Sequence, residues 1–313
     1  MSERVVITGG SGFIGSRLAA AHVADGDEVI AIVRPRGLVP GRVLPPGVVS
    51  ARIRLEDSEA LEKCMQSARP TIIYHLASDT GRDAAIPNPR ETHRLTGDLR
   101  NLLTLLAAAG EARPRVFIRA GSLAEYGNGA MPSRESQREQ PLTPYVTAMV
   151  AGAHYARMLQ PRLRFPVLTA RLGLTYGPGQ SDAFLVPWLI QRCLAGKPSE
   201  VQRPTWRRDL IYVDDIVDGL RALATGDLPG GSIVNLCTGI APTMSEVAEL
   251  IVEATGANPS LISFGNRPAS DHGIAILQGS PDLALARLGW AAGTSLRDGL
   301  RRSADSFGRL AYA

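Results

Sequence analysis

Short apolar runs alternate with stretches of helical length through the first half of the chain. Val5–Ile7 is a β-branched run, and a glycine-rich turn and a helix-like segment, Ile14–Val23, follow it. Glu28–Val33, Thr71–His75, Arg115–Ile118 and Val167–Ala170 continue the series, with helix-length Leu95–Ala109 and Tyr145–Leu159 between them. Strands that are apolar nearly throughout are buried on both faces. Their alternation with helices predicts an α/β fold with a parallel sheet built from right-handed crossover units. After about Gly173 the pattern loosens, broken by Pro178, Pro187, Pro198 and Pro204. Ile233–Leu236 then reads as a strand and Ser245–Thr255 as a helix with Ser245 in the cap position. The expected organisation is a first domain over 1–172 plus roughly 210–236. A smaller, partly interleaved C-terminal domain takes 173–209 and 237–313.

The turn after the first strand reads Thr8-Gly9-Gly10-Ser11-Gly12-Phe13-Ile14-Gly15. Glycines at 9, 12 and 15 suit a tight turn, a close backbone approach to a pyrophosphate and close helix–sheet packing. The amides that open the helix suit a phosphate. This makes the sheet a doubly wound, Rossmann-type one. At the end of the second strand an acid favours NAD, whereas an arginine accommodates the 2′-phosphate of NADP. Here Val33 is followed by Arg34, Pro35 and Arg36, with no acid on the strand end before Glu56. NADP(H) is the expected cofactor, with Arg34 or Arg36 on its 2′-phosphate. The competing reading is a solvated arginine in an arginine-rich chain.

Composition narrows the classes. The 313 residues carry a formal net charge of +4, and only two of the 34 basic residues, Lys63 and Lys197, are lysines. Genome bias accounts for most of that imbalance, yet chemistry that requires a lysine has two places to look. The arginines are interleaved with acids and form no basic block, which argues against nucleic-acid binding. The three cysteines have no metal or disulfide spacing. No signal peptide is visible, and no apolar run is long enough to span a bilayer. A cytoplasmic protein without a membrane partner is expected.

A set of motifs then comes in a particular order. It comprises the TGGSGFIG loop, His75-Leu76-Ala77, Gly121-Ser122-Leu123-Ala124-Glu125-Tyr126-Gly127, and Tyr145 with its following helix. Tyr176-Gly177-Pro178-Gly179-Gln180 and Arg208-Asp209-Leu210-Ile211-Tyr212-Val213-Asp214-Asp215 complete it. This series resembles the extended short-chain dehydrogenase/reductases, a group of NAD(P)-dependent nucleotide-sugar epimerases, dehydratases and reductases. The resemblance covers nearly the whole chain. It implies cofactor contacts from Gly9, Gly12, Phe13, Ile14, Gly15, Leu76 and Ala77, and a C-terminal domain that binds a nucleotide-diphosphate sugar. It gives Ser122 the role of hydrogen-bonding the reacting sugar oxygen and Tyr145 that of the catalytic tyrosine. The family's YxxxK motif is here Tyr145-Val146-Thr147-Ala148-Met149, so Met149 stands where lysine is expected.

That departure tilts the chemistry. A free tyrosine ionises near pH 10, and a nearby ammonium favours the phenolate. Epimerases and dehydratases begin by oxidising an alcohol, which needs the phenolate as base. Ketone reduction needs a phenol that donates a proton. Leu123 and Ala124 occupy the positions of the dehydratases' Asp-Glu pair, so dehydration is not expected. The resemblance, the arginines after the second strand and Met149 converge on an NADPH-dependent reductase of a keto group, at C4, on a nucleotide-linked deoxyhexose. The alternatives are a nucleotide-sugar epimerase with another cation beside Tyr145, and a catalytically weakened NADP-binding protein.

Arg208 matches a family arginine that grips the substrate diphosphate, with a salt bridge to Asp209 as the competing reading. Arg267 matches a second such arginine more loosely. Asp214 and Asp215 are expected to start and cap the following helix, and Arg171 to be structural. Trp206 either walls the substrate pocket or packs in the core. Leu174 and Leu95 stand where the family carries asparagines. His75 reads as a packed strand-end residue. His22, His93, His154 and His272 have no carboxylate partner at a recognisable spacing, so no metal site is expected. The helices Leu95–Ala109 and Tyr145–Leu159 resemble the family's dimer-forming pair, with small residues at Ala107, Ala108, Ala151 and Ala153. A homodimer is expected by that resemblance.

Overall fold

The computed structural model describes residues 2–35, 43–78, 92–265 and 273–311. In chain order the elements begin β1 (Arg4–Thr8), α1 (Phe13–Ala24), β2 (Glu28–Val33), β3 (Val48–Arg52), α2 (Ser58–Ala68), β4 (Ile72–His75) and α3 (Thr92–Ala112). They continue with β5 (Val116–Ser122), α4 (Pro144–Leu159), β6 (Val167–Leu172), β7 (Leu174–Tyr176), α5 (Leu185–Leu194), β8 (Ser199–Val201) and β9 (Arg207–Arg208). The last are β10 (Leu210–Tyr212), α6 (Val213–Thr225), β11 (Ile233–Leu236), α7 (Met244–Thr255), β12 (Ile262–Phe264), β13 (Ile276–Leu277), α8 (Asp282–Leu288) and α9 (Leu296–Ala311).

Seven strands form one parallel sheet in the order β11-β6-β5-β4-β1-β2-β3. The fold is the Rossmann-type doubly wound α/β architecture expected from the alternating pattern. β1 lies inside the sheet: Val5 pairs with Val29 on one side and Ile72 on the other. β4 and β6 are buried at every position, and that is why apolar residues dominate both. The edge strand β3 has no buried residue, and its pattern is correspondingly weak in sequence.

The chain divides into two compact units, Met1–Glu125 with Glu139–Arg171 and Val217–Val234, and Tyr126–Arg138 with Leu172–Ile216 and Asn235–Ala313. In the first, α2, α3 and α4 cover the sheet. Leu61, Met65, Leu102, Leu105 and Leu106 pack there on Val6, Ile73 and Phe117. In the second, α5, α7 and α9 enclose a core of Tyr176, Ile190, Leu210, Tyr212, Val247, Ile251 and Leu300.

Two cap assignments are corrected. α7 starts at Met244, and its N-cap is Thr243, not Ser245. Thr243 forms a capping box with Glu246, which accepts from the Thr243 amide while Thr243 accepts from the Glu246 amide. Asp214 and Asp215 lie inside the first turn of α6. Asp215 does not cap that helix: its carboxylate accepts from the amides of Gly293 and Thr294, at 3.2 and 3.1 Å, and so fixes the approach to α9. Ala108 and Ala153, expected on a dimer surface, are buried within the protomer, while Ala107 is exposed and Ala151 half-buried.

Candidate active site

The glycine turn is closely fitted to its surroundings. Gly9 has a φ of +72°, and a Cβ there would lie 2.9 Å from the Ala77 amide nitrogen. A Cβ at Gly12 would lie 2.9 Å from the Gly9 carbonyl oxygen, and one at Gly15 would overlap the same atom. The turn therefore seats Gly9 on Leu76 and Ala77 and brings two predicted cofactor segments, the glycine loop and Leu76-Ala77, together. Thr8 secures that junction: its hydroxyl accepts from the Ala77 amide at 3.2 Å and is 2.8 Å from Nδ1 of His75. Gly12 is the N-cap of α1, no side chain caps it, and the first turn carries no acid. An uncapped helix start beside bare backbone is a cradle that fits a pyrophosphate. Phe13 and Ile14 supply its first helical amides. Arg34 follows the last residue of β2 and is exposed. Arg36 lies outside the described residues.

His75 closes β4 as a buried residue. Burial, and then the charge of Arg119, push its imidazole down to a pKa of about 3, so it is neutral at physiological pH. Two other histidines correct the expectation of unpaired rings. His22 Nδ1 is 2.7 Å from Asp27, and His154 Nε2 is 3.5 Å from Glu139. His93 and His272 lie outside the residues whose side chains are described. Among the described residues no His, Cys, Asp and Glu side chains cluster as a metal site would need.

Tyr145 enters α4 one residue after Pro144, in a helix whose start is capped by Thr143. Proline at the first helical position is preorganised for that start. Burial raises the phenol's pKa, a hydrogen bond with the Ser78 hydroxyl lowers it, and the charges of Asp98, Glu125 and Arg119 also act on it. The net direction is upward. Ser78 in turn donates to Asp98 of α3 at 3.0 Å. Ser78 and Asp98 were not singled out in sequence. The available signals were Ser78 following His75-Leu76-Ala77 directly, and Asp98 lying three residues after Leu95 and so near it on the helix surface.

Ser122 ends β5. Its hydroxyl accepts from the Ala124 amide at 3.1 Å, and its own amide donates to Glu125 at 2.9 Å. Leu123 and Glu125 are both buried. The Glu125 carboxylate also accepts from Arg171 Nε at 2.8 Å, and Glu139 accepts from Arg171 Nη2 at 2.6 Å. Arg171 is thus a buried ion-pair centre, and Glu125 is committed to it. Met149 is half-buried, and its carbonyl accepts from Arg119 Nη2 at 3.0 Å.

In the second unit, Arg208 lines a cavity of about 560 Å³ with Trp188, Trp206, Arg203, Gln180 and Met244. Its guanidinium lies 4.7 Å from the centre of the Trp206 ring, and that of Arg203 lies 4.0 Å from the same ring. Burial and the like charge of Arg203 push the Arg208 pKa down to about 10. Arg208 does not pair with Asp209. The Asp209 carboxylate accepts from the Thr238 amide and hydroxyl, at 2.9 and 2.6 Å, and from the amides of Gly239 and Gly279. Asp209 pins two loops, while Arg208 lines the cavity beside Trp206, its Nη1 donating to the carbonyls of Arg207 and Ala275 at 2.7 and 3.1 Å. Arg267 lies outside the described residues.

Residues 5–237 match the model of a family described as the NAD dependent epimerase/dehydratase family. The chain is 26% identical to a UDP-glucose 4-epimerase of Mycolicibacterium smegmatis, covering 97% of this chain and 98% of that one. It is 27% identical to a dTDP-6-deoxy-L-talose 4-dehydrogenase (NAD(P)(+)) of Kitasatospora kifunensis, over 95% of this chain and 93% of that one. The structure is similar to that of a Thermus thermophilus UDP-glucose 4-epimerase in complex with NAD, with a TM-score of 0.84 at 28% identity. The match covers 97% of this chain and 98% of that one.

Proposed function

Because the chain belongs to the NAD dependent epimerase/dehydratase family, we propose that it reduces a keto group, at C4, on a nucleotide-linked deoxyhexose with NADPH as reductant. One observation carries this reading. Tyr145 sits in surroundings that raise its pKa, with methionine rather than lysine one turn along the helix, so it is held as a neutral phenol. A neutral phenol is the form that donates a proton to a developing alkoxide. Similarity to a 4-dehydrogenase that uses NAD(P)(+) supports the C4 position.

In this reading the first unit holds the cofactor. Gly9, Gly12, Phe13, Ile14, Gly15, Leu76 and Ala77 take the dinucleotide, and Arg34 and Arg36 select its 2′-phosphate. When bound, the nicotinamide supplies a hydride. Ser122 donates a hydrogen bond to the carbonyl oxygen and orients it. Tyr145 delivers its proton to that oxygen. Ser78, anchored by Asp98, holds the phenol in position. In the second unit Arg208 binds the diphosphate through its planar fork, Trp206 walls the nucleotide cavity, and Arg267 adds a second phosphate contact.

The proposal includes a cytoplasmic homodimer. Three free cysteines, Cys64, Cys193 and Cys237, support a reducing compartment. Exposed Tyr155 and Met158 on α4 support an interface on that helix.

Nucleotide-sugar epimerisation is the second reading, and one observation favours it: a buried guanidinium, Arg119, acts on the Tyr145 phenol and favours its ionised form. Tyr145→Phe tests the shared core. It is expected to lower turnover at least about 100-fold with NADPH binding unchanged by fluorescence titration. Full turnover in that variant would remove Tyr145 from the mechanism.

A further inference from the structure

Two arginines enter the interior of the first unit from adjacent strands, and they are compensated very differently. Arg171 on β6 is held by two carboxylates, Glu125 and Glu139. Arg119 on β5 is 4% exposed, yet among the described residues its hydrogen bonds go only to neutral oxygens. Nη2 donates to the Met149 carbonyl at 3.0 Å, and Nη1 lies 3.4 Å from the Thr169 hydroxyl. Its Nε is buried without a hydrogen-bond partner among the described residues. A guanidinium does not give up its proton inside a protein, so this is a buried positive charge with no carboxylate bonded to it. Removing an ion from water costs several kcal/mol, and nothing bonded to Arg119 repays that cost in kind.

Its position gives the charge a use. Arg119 reaches α4 at the backbone of Met149, the residue that stands in the lysine position of the family motif. Gly152 makes room: a Cβ there would lie 3.0 Å from Arg119 Nη2. The charged and titratable groups that act on Arg119 are Glu125, Arg171, Tyr145 and His75. Those that act on Tyr145 are Asp98 from α3, Glu125 from the turn after β5, and Arg119 from β5. Arg119 is the cation of that second set and acts after burial, Ser78, Asp98 and Glu125 in size.

We propose that Arg119 supplies, from the sheet, the positive charge that the missing lysine would have supplied from the helix. Its partner is the charge that forms on Tyr145 during proton transfer. The Tyr145 O–H bond breaks and its proton passes to the substrate carbonyl oxygen, whose carbon takes the hydride. The negative charge left on the phenol oxygen is then favoured by the charge of the guanidinium. Arg119 touches no reacting atom and is a positioning residue. The inference rests on Tyr145 as the proton-transfer group, and it holds for either direction of transfer.

The test is the alkaline titration of Tyr145 in the full chain, followed by NMR of tyrosine labelled with carbon-13 at Cζ. The Tyr145 resonance is the one absent from the Tyr145→Phe variant. Arg119→Met is expected to raise the midpoint, Arg119→Lys to leave it near wild type, and Arg119→Met with Met149→Lys to bring it back down. Methionine for a poorly compensated buried ion is a tolerated exchange, and Arg119→Gln gives the same comparison with a polar side chain. An unmoved midpoint in both Arg119→Met and Arg119→Gln would overturn the inference. If the midpoint moves and NADPH is never consumed, Arg119 keeps its role and the reductase reading falls. If NADPH is consumed and the midpoint does not move, only the Arg119 assignment falls.

Discussion

Burial is the largest influence on both Tyr145 and His75, and one buried charge acts on each of them in the same protonation sense. The Arg119 guanidinium favours the ionised form of the tyrosine and the neutral form of the histidine. The histidine gives a pH prediction. Folded, it takes up a proton only near pH 3, whereas an ordinary imidazole does so near 6.5. Between these values the unfolded chain binds more protons than the folded one. Stability is therefore fully present above about pH 6.5 and falls as pH drops toward 3, by at most about 1.4 kcal/mol per pH unit from this group. His75→Asn, which cannot take the charge, should flatten the melting temperature against pH across that window. An unchanged slope would show that other groups carry the acid response. Residue identities were partly legible in sequence. Gly9, Ser122, Tyr145 and Met149 stand out because the motifs sit where strands end and helices begin. Arg119 does not, because in an arginine-rich chain its meaning arises only from what α4 and β6 place around it.

At the scale of elements, the strand–turn–helix at the start of the chain is the most constrained piece. Gly15 packs the first turn of α1 onto the Gly9 carbonyl, where a side chain has no room. Gly15→Ala is expected to lower stability by about 1–3 kcal/mol through overpacking and to weaken dinucleotide binding at least tenfold. Isothermal titration with NADPH together with thermal melting reads both, and wild-type affinity in this variant would deny the turn its role as the phosphate cradle. The buried strands were easy to read because a parallel sheet enforces continuous apolar runs. Helix ends were harder. Thr243 and Ser245 both suit a cap, and the decision belongs to Glu246, which is three residues after Thr243 and closes the box with it. Asp215 looked like a cap for its own helix because the sequence does not show that Gly293 and Thr294 come within reach of its carboxylate.

For the whole molecule, the fold and the family are shown, and the proposed chemistry within them draws on the chain's cation inventory. Arginines stand at 34, 36, 119, 208 and 267, and neither lysine lies in the active-site motifs. Cofactor choice is one consequence. Arg34→Ala should raise the KM for NADPH about tenfold, on the order of 1.4 kcal/mol, and leave that for NADH unchanged; equal effects on both would place Arg34 away from the 2′-phosphate. The order of motifs made the family legible over almost the whole chain. The direction of the chemistry was less so, because Met149 argues for reduction while Arg119, invisible as a neighbour in sequence, restores a cation near the phenol. Incubation of the full chain with NADPH and a nucleotide-linked 4-keto-6-deoxyhexose decides the matter. The account predicts one NADPH oxidised for each sugar reduced at C4. Conversion of the sugar to an epimer with NADPH unchanged, or no conversion at all, would contradict it.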